Sequence, residues 1–142
     1  MKIKEIDYED WKIYWPDCQK SNLNQSWYYG VSKSNNNLFA KYYGVFIDNN
    51  PISIFQVLVI KIPVLGSIVR LNRGPLIIGD FDESKIIKLT IKVIQQILSM
   101  CKNRKWKIMQ IAPELPYNIK IEKELTRIGL KKRKKEPWGS SK

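Results

Sequence analysis

The feature that most narrows the fold is a change of apolar period near Gly79. Before it, "LFAKYYGVFI" and "ISIFQVLVIKI" are rich in β-branched and aromatic residues, and "DNNP" between them has the composition of a hairpin turn. "SIVRLNRG", entered after Leu65 and Gly66, adds a third stretch of the same kind. Residues 38 to 73 are therefore expected to form three consecutive antiparallel strands. After it, Ile87, Ile91, Ile94, Leu98 and Cys101 fall on one helical stripe, flanked by Ile86, Val93 and Ile97. Residues 83 to 102 are expected to form a long helix packed on that sheet, with Asp80, Asp82 and Glu83 placed to favour its N-terminus.

The flanks fit around this centre. "KIKEI" reads as a short strand and "DYEDWKIYWPDCQ" as a helix capped by Asp7, with Pro16 near its end. "NLNQSWYYGVSK" reads as a second short helix entered from Asn24, which the Asn run 35 to 37 ends. Beyond the long helix, "KWKIMQIAP" is a fifth strand and "NIKIEKELTRIG" a last helix stopped by Gly129, while the tail "KKRKKEPWGSSK" begins another strand. The expected class is α/β, an antiparallel meander sheet flanked by helices, in the order β-α-α-β-β-β-α-β-α. With 142 residues, 44% of them apolar, and no internal repeat or linker, one domain over 1-142 is expected.

Histidine is absent, which removes Ser-His and Cys-His nucleophile pairs, imidazole bases and His-ligated metals. Cys18 and Cys101 form no CxxC pair, so neither a disulfide framework nor a zinc site is indicated, and no metal is expected. The N-terminus is interrupted by Asp and Glu, unlike a signal peptide, and Lys61 and Pro63 break the apolar stretches well short of a bilayer span. The reading is a soluble, intracellular, cytoplasmic protein. The net charge of +12 is dominated by 20 lysines against 5 arginines in an Ile- and Asn-rich chain, a pattern that AT-rich coding produces without function. Its distribution is more informative: Lys102 to Lys142 holds 13 basic and 4 acidic residues, a net of +9, with its peak in the 131-135 basic cluster of "KKRKKE". That cluster suits a phosphate-bearing partner or an anionic membrane surface; the plain alternative is a solvated edge.

An antiparallel meander leading into a helix and a further strand is the organisation of a GNAT-type acyltransferase domain. "NQSWYYGVSK", the hairpin and then "RLNRGP" resemble the N-terminal half of the Fem (FemABX) aminoacyltransferases, the peptidoglycan interpeptide-bridge enzymes. Those proteins carry a Gln-x-x-x-W/Y-x-x-x-K helix and an R/K-G-P turn after the third meander strand, and the resemblance extends over essentially the whole chain. It implies a GNAT-like (acyl-CoA N-acyltransferase) fold and a pair of such domains, the second half lying beyond this sequence or on a separate polypeptide. It further implies transfer of an amino acid from aminoacyl-tRNA to an amine of a phosphorylated peptidoglycan precursor, with no bound cofactor. Lys33 matches the lysine that contacts the precursor phosphate, and Arg73, followed by Gly74, matches the basic residue of the turn. Family members often place an aspartate three residues after the turn's proline; here that position is Ile78.

Physically, a cation at the mouth of a meander pairs with phosphate, guanidinium in a fixed two-pronged geometry. Gly74 permits close backbone approach and Pro75 stiffens the turn. If the helix bearing Lys33 packs where the Arg73 turn emerges, both cations face one groove. The bland counterpart is that Arg70 and Arg73 are solvated and Lys33 serves its own helix dipole. Tyr28, Tyr29, Tyr42 and Tyr43 offer stacking surfaces, though core and rim packing is their commoner use. "RGPLIIGD" lacks the glycine spacing of a GNAT pyrophosphate loop, which argues against acetyl-CoA. Three alternatives stay open beside the Fem-like reading: a basic nucleic-acid or anionic-surface binding module, a degenerate GNAT acetyltransferase, and an inactive structural remnant.

Overall fold

The computed structural model describes residues 1–104, 106–116, 118–131 and 140–141. The expected elements are all present. Strand β1 (Lys2–Glu5) is followed by helix α1 (Tyr8–Tyr14), helix α2 (Trp27–Lys33) and strands β2 (Leu38–Ile47), β3 (Asn50–Ile62) and β4 (Gly66–Asn72). A two-residue strand β5 (Leu76–Ile77) precedes α3 (Glu83–Lys102), β6 (Trp106–Ala112), α4 (Ile119–Arg127) and β7 (Ser140–Ser141). The strands run in the order β1-β2-β3-β4-β6-β7, with β5 added on β3. Pairing is antiparallel except between β4 and β6, which are parallel.

β3 is the axis of the molecule, and its sequence says why. Every residue from Ser53 to Val59 is buried, as expected of a strand covered on both faces. On one face Tyr43, Val45, Phe55, Val57, Val69 and Leu71 meet the apolar side of α3, and Ile121 and Leu125 of α4 join the same core. On the other, Trp11, Cys18, Tyr42, Ile54 and Leu76 form a second, aromatic core under α1 and α2, where Trp27 stacks on Tyr42 at 3.6 Å between ring centroids. Tyr42 and Tyr43 are thus core residues on opposite faces.

Local chemistry sets the boundaries. Asp7 caps α1 by accepting from the Asp10 amide, Asp82 caps α3 through Lys85 N, and Gly129 ends the last helix at φ +112°. The β2–β3 hairpin turns through Asp48 and Asn49, both at positive φ. Two details depart from the sequence reading. α2 is not entered from Asn24: residues Leu23–Gln25 form a single tight turn and Ser26 is the cap, its hydroxyl accepting from Tyr29 N at 3.2 Å. β5 was not expected, because two residues carry no period. Apart from Lys131, the 131-135 cluster lies outside the described residues.

Candidate functional site

The R-G-P turn is a bulge in the sheet. β4 and β5 lie on one line along β3: Leu58 pairs with Arg70, and Ile54 pairs with Leu76. Between those pairs, Phe55 to Val57 on β3 face Leu71 to Pro75, so the outer line arches away. The arch deprives the Gln56 peptide of strand partners in a buried place, where an unpaired amide or carbonyl is costly. The side chain of Gln25 replaces them. Its Oε1 accepts from Gln56 N at 2.8 Å, and its Nε2 donates to Gln56 O at 3.2 Å and to Asn72 O at 2.7 Å. Gln25 is completely buried, and Gln56 returns a bond from its own Nε2 to Ser26 O at 2.6 Å, which fixes the start of α2 beside the bulge.

The arch places Arg73 where β4 and β6 part. Asn72 and Ala112 are the last pair of that parallel ladder, and Arg73 N donates to Ala112 O at 2.6 Å. Arg73 takes a left-handed backbone, φ +53°, and Asn22 Nδ2 holds its carbonyl at 2.8 Å while also donating to Glu114 Oε2 at 2.9 Å. The guanidinium forms no ion pair among the described residues and lines a small cleft with Lys20, Glu114, Pro75 and Thr90. The close approach that Gly74 permits is to Gln25: a Cβ there would sit 2.8 Å from Gln25 Cδ. The Gly74–Pro75 peptide is cis.

Lys33 stands elsewhere. It is exposed in the last turn of α2, its Nζ 5.6 Å from the Tyr29 ring centroid. The seven residues of α2 put about 10 Å between Lys33 and the bulge. The small cleft that Arg73 lines does not include Lys33. Gln56 and Asn22, which help to build the site, are not singled out from the sequence, and Gln25 enters there only as the first position of the helix motif. One signal for them is there: Gln56 is the lone polar residue in "IFQVLVI", and a polar side chain in a doubly buried strand needs a partner.

The turn into α3 is closed from inside. Ile78 N donates to Ile52 O at 3.0 Å, Gly79 N to Asp17 O at 2.9 Å, and Phe81 N to Gln19 Oε1 at 3.1 Å. Of the amides placed to cradle a pyrophosphate there, that of Ile78 is engaged by β3 and those of Gly79 and Phe81 by the segment after α1. Neither thiol is a nucleophile: burial pushes Cys18 and Cys101 up to about 12, so both stay protonated at neutral pH. No cluster of three or more potential metal ligands occurs among the described residues. None of their helices is long and apolar enough to cross a membrane.

No protein-family model matches the chain, and no curated protein matches it. Among solved structures, FemX is similar over 93% of this chain and 32% of its own, with a TM-score of 0.65 and 16% identity. The apo form of an aminoglycoside 6'-N-acetyltransferase, AAC(6')-IG from Acinetobacter haemolyticus, is similar over 100% of this chain and 99% of its own, with a TM-score of 0.51 and 15% identity. The chain thus spans about one third of FemX and the full length of the acetyltransferase. With a meander, a parallel β4–β6 pair parted at Arg73, and α3 and α4 on one face, these likenesses identify the fold as GNAT-like.

Proposed function

We propose that the chain is an acyltransferase domain of the Fem type, the half that holds a phosphorylated peptidoglycan precursor while an amine of that precursor receives an amino acid from aminoacyl-tRNA. In that reaction the amine lone pair attacks the ester carbonyl, a C–N bond forms, the ester C–O bond to the tRNA breaks, and the amine proton passes to the departing ribose hydroxyl. The chain's contribution would be positioning rather than covalent chemistry. It has no histidine, and its thiols are held protonated. The observation that carries the reading is the closed turn before α3, whose Ile78, Gly79 and Phe81 amides are already bonded, next to Arg73 at the mouth of the parallel pair, whose guanidinium forms no ion pair among the described residues. A domain so built lacks a cradle for an acyl-CoA pyrophosphate and keeps a cation for another phosphate. Lys33 and Arg73 would then touch separate groups of one extended ligand lying along α2.

A groove of about 840 Å³ between α3 and α4 favours a second reading, a GNAT acetyltransferase. Ile87, Ile91 and Ile121 line it together with Lys88 and Lys92, a combination that suits a phosphorylated acyl carrier with an apolar arm, while Glu83 also lines it and Arg127 is held by Glu124 at 2.9 Å. Mutation separates the two. Under the Fem-type reading, Lys33→Ala and Arg73→Ala each weaken binding of a nucleotide-linked muramyl-peptide precursor about tenfold or more, the loss expected of one charge-assisted contact to phosphate. Neutralising Lys131, Lys132, Lys134 and Lys135 instead lowers affinity for any polyanion and flattens its salt dependence. Unchanged precursor affinity in both alanine variants contradicts the reading.

A further inference from the structure

The end of the sheet opposite the Arg73 cleft is rich in cations, with the Glu5 carboxylate near the Tyr43 ring over which Arg104 lies at 5.5 Å. The starts of β2, β4 and β6 and the end of β3 meet there, Leu38 pairing with Ile60, Ile62 with Gly66, and Ser67 with Trp106. The stretches that converge on it, residues 31–41, 59–69 and 100–108, contain no Asp or Glu, whereas Lys33, Lys41, Lys61, Lys102 and Arg104 all lie in them. Among the described residues none of these cations enters an ion pair. Four rest on aromatic rings instead: Lys33 on Tyr29, Lys41 and Lys61 on Phe39 at 6.0 and 5.2 Å, and Arg104 on Trp106 at 5.4 Å. The carboxylates of Asp17, Asp80 and Glu114 lie around the clefts of the other end.

The tip of this basic end is apolar. The β3–β4 turn presents Val64 and Leu65 with relative exposures of 104% and 66%. Val64 also sits at φ +71°, a left-handed conformation that a β-branched residue adopts only at a cost. A turn that had only to reverse the chain would carry Gly or Asn there. We propose that this end seats on an anionic bilayer surface, with Val64 and Leu65 entering between lipid head groups and Lys41, Lys61, Lys102 and Arg104 resting on lipid phosphates. RNA would satisfy the cations equally but offers no apolar layer to receive two aliphatic side chains, so the tip favours the bilayer. The inference does not depend on the transferase reading, and its test involves neither precursor nor acyl donor.

Flotation of the full chain with phosphatidylcholine vesicles, with and without phosphatidylglycerol, is the test. The protein is expected to float only with phosphatidylglycerol present, and less as salt rises. The double variant Val64→Ser, Leu65→Ser should lower the bound fraction about tenfold, and Lys61→Gln or Arg104→Gln about fivefold each. Both tip residues are solvent-exposed and Val64→Ser removes a β-branched residue from positive φ, so the double variant should melt no lower than the parent, and Leu65→Phe alone should bind at least as well as the parent. The proposal is overturned if the double variant binds vesicles like the parent, or if neutralising the 131-135 cluster alone abolishes binding. Tip-dependent binding of RNA in place of vesicles would overturn it too.

Discussion

Gln25 does for β3 what a neighbouring strand would otherwise do. Its carboxamide presents an acceptor and a donor in the places where the arched line has withdrawn a peptide, so Gln25→Ala strips partners from two buried groups of Gln56 and one of Asn72. We expect that variant to lose about 2–4 kcal/mol of unfolding free energy in denaturant titration, against the small loss typical of an exposed glutamine. Gln25→Leu should fare no better, because shape is restored but the bonds are not. Gln25 opens the motif that relates the chain to the Fem proteins, yet its role is invisible in sequence, since its backbone partner lies 31 residues away and only the sheet register brings them together. Val64 makes the opposite prediction. Val64→Gly removes the penalty of a left-handed β-branched residue and should raise stability by about 1 kcal/mol, read as a higher melting temperature.

At the scale of elements, legibility follows length and period. β2, β3 and α3 repeat their pattern over many residues, and the meander and long helix stand where those periods put them. α2 has only seven residues, and its start is decided by a cap: the sequence reading enters it from Asn24, whereas Ser26 is the cap and Gln25 before it turns inward to the sheet. Ser26→Ala should therefore cost about 1 kcal/mol and Asn24→Ala much less, a difference that thermal melts resolve. The bulge was legible as a G-P punctuation but not as a bulge, since nothing local announces that β5 rejoins β3 beyond it. β2 also predicts a pH limit. Burial pushes Tyr42 and Tyr43 from about 10 up to about 12, so the folded state holds those protons more tightly than the unfolded chain. Their contribution is complete below pH 10 and disappears as pH rises through 12. Alkaline unfolding should fall in that window, with tyrosine ionisation monitored by absorbance appearing together with loss of structure.

Across the whole molecule, the two ends of the sheet differ in chemistry. At one, β4 and β6 part around Arg73 and Glu114, and at the other an apolar hairpin tip stands near Lys41 and Lys61, which rest on the Phe39 ring. Composition supplies the excess of positive charge, but the segregation depends on which strand ends the topology brings together. For the same reason Lys33 and Arg73 are readable as motif residues while their separation along α2 is not. We propose that this GNAT-like domain holds a phosphorylated precursor, with the turn that would hold an acyl-CoA closed. The most direct test is a pair of calorimetric titrations on the full chain, one with a nucleotide-linked muramyl-peptide precursor and one with acetyl-CoA. The account predicts saturable precursor binding that Arg73→Ala weakens about tenfold, and no saturable binding of acetyl-CoA. Saturable acetyl-CoA binding, with acetyl transfer to an added amine, would contradict it.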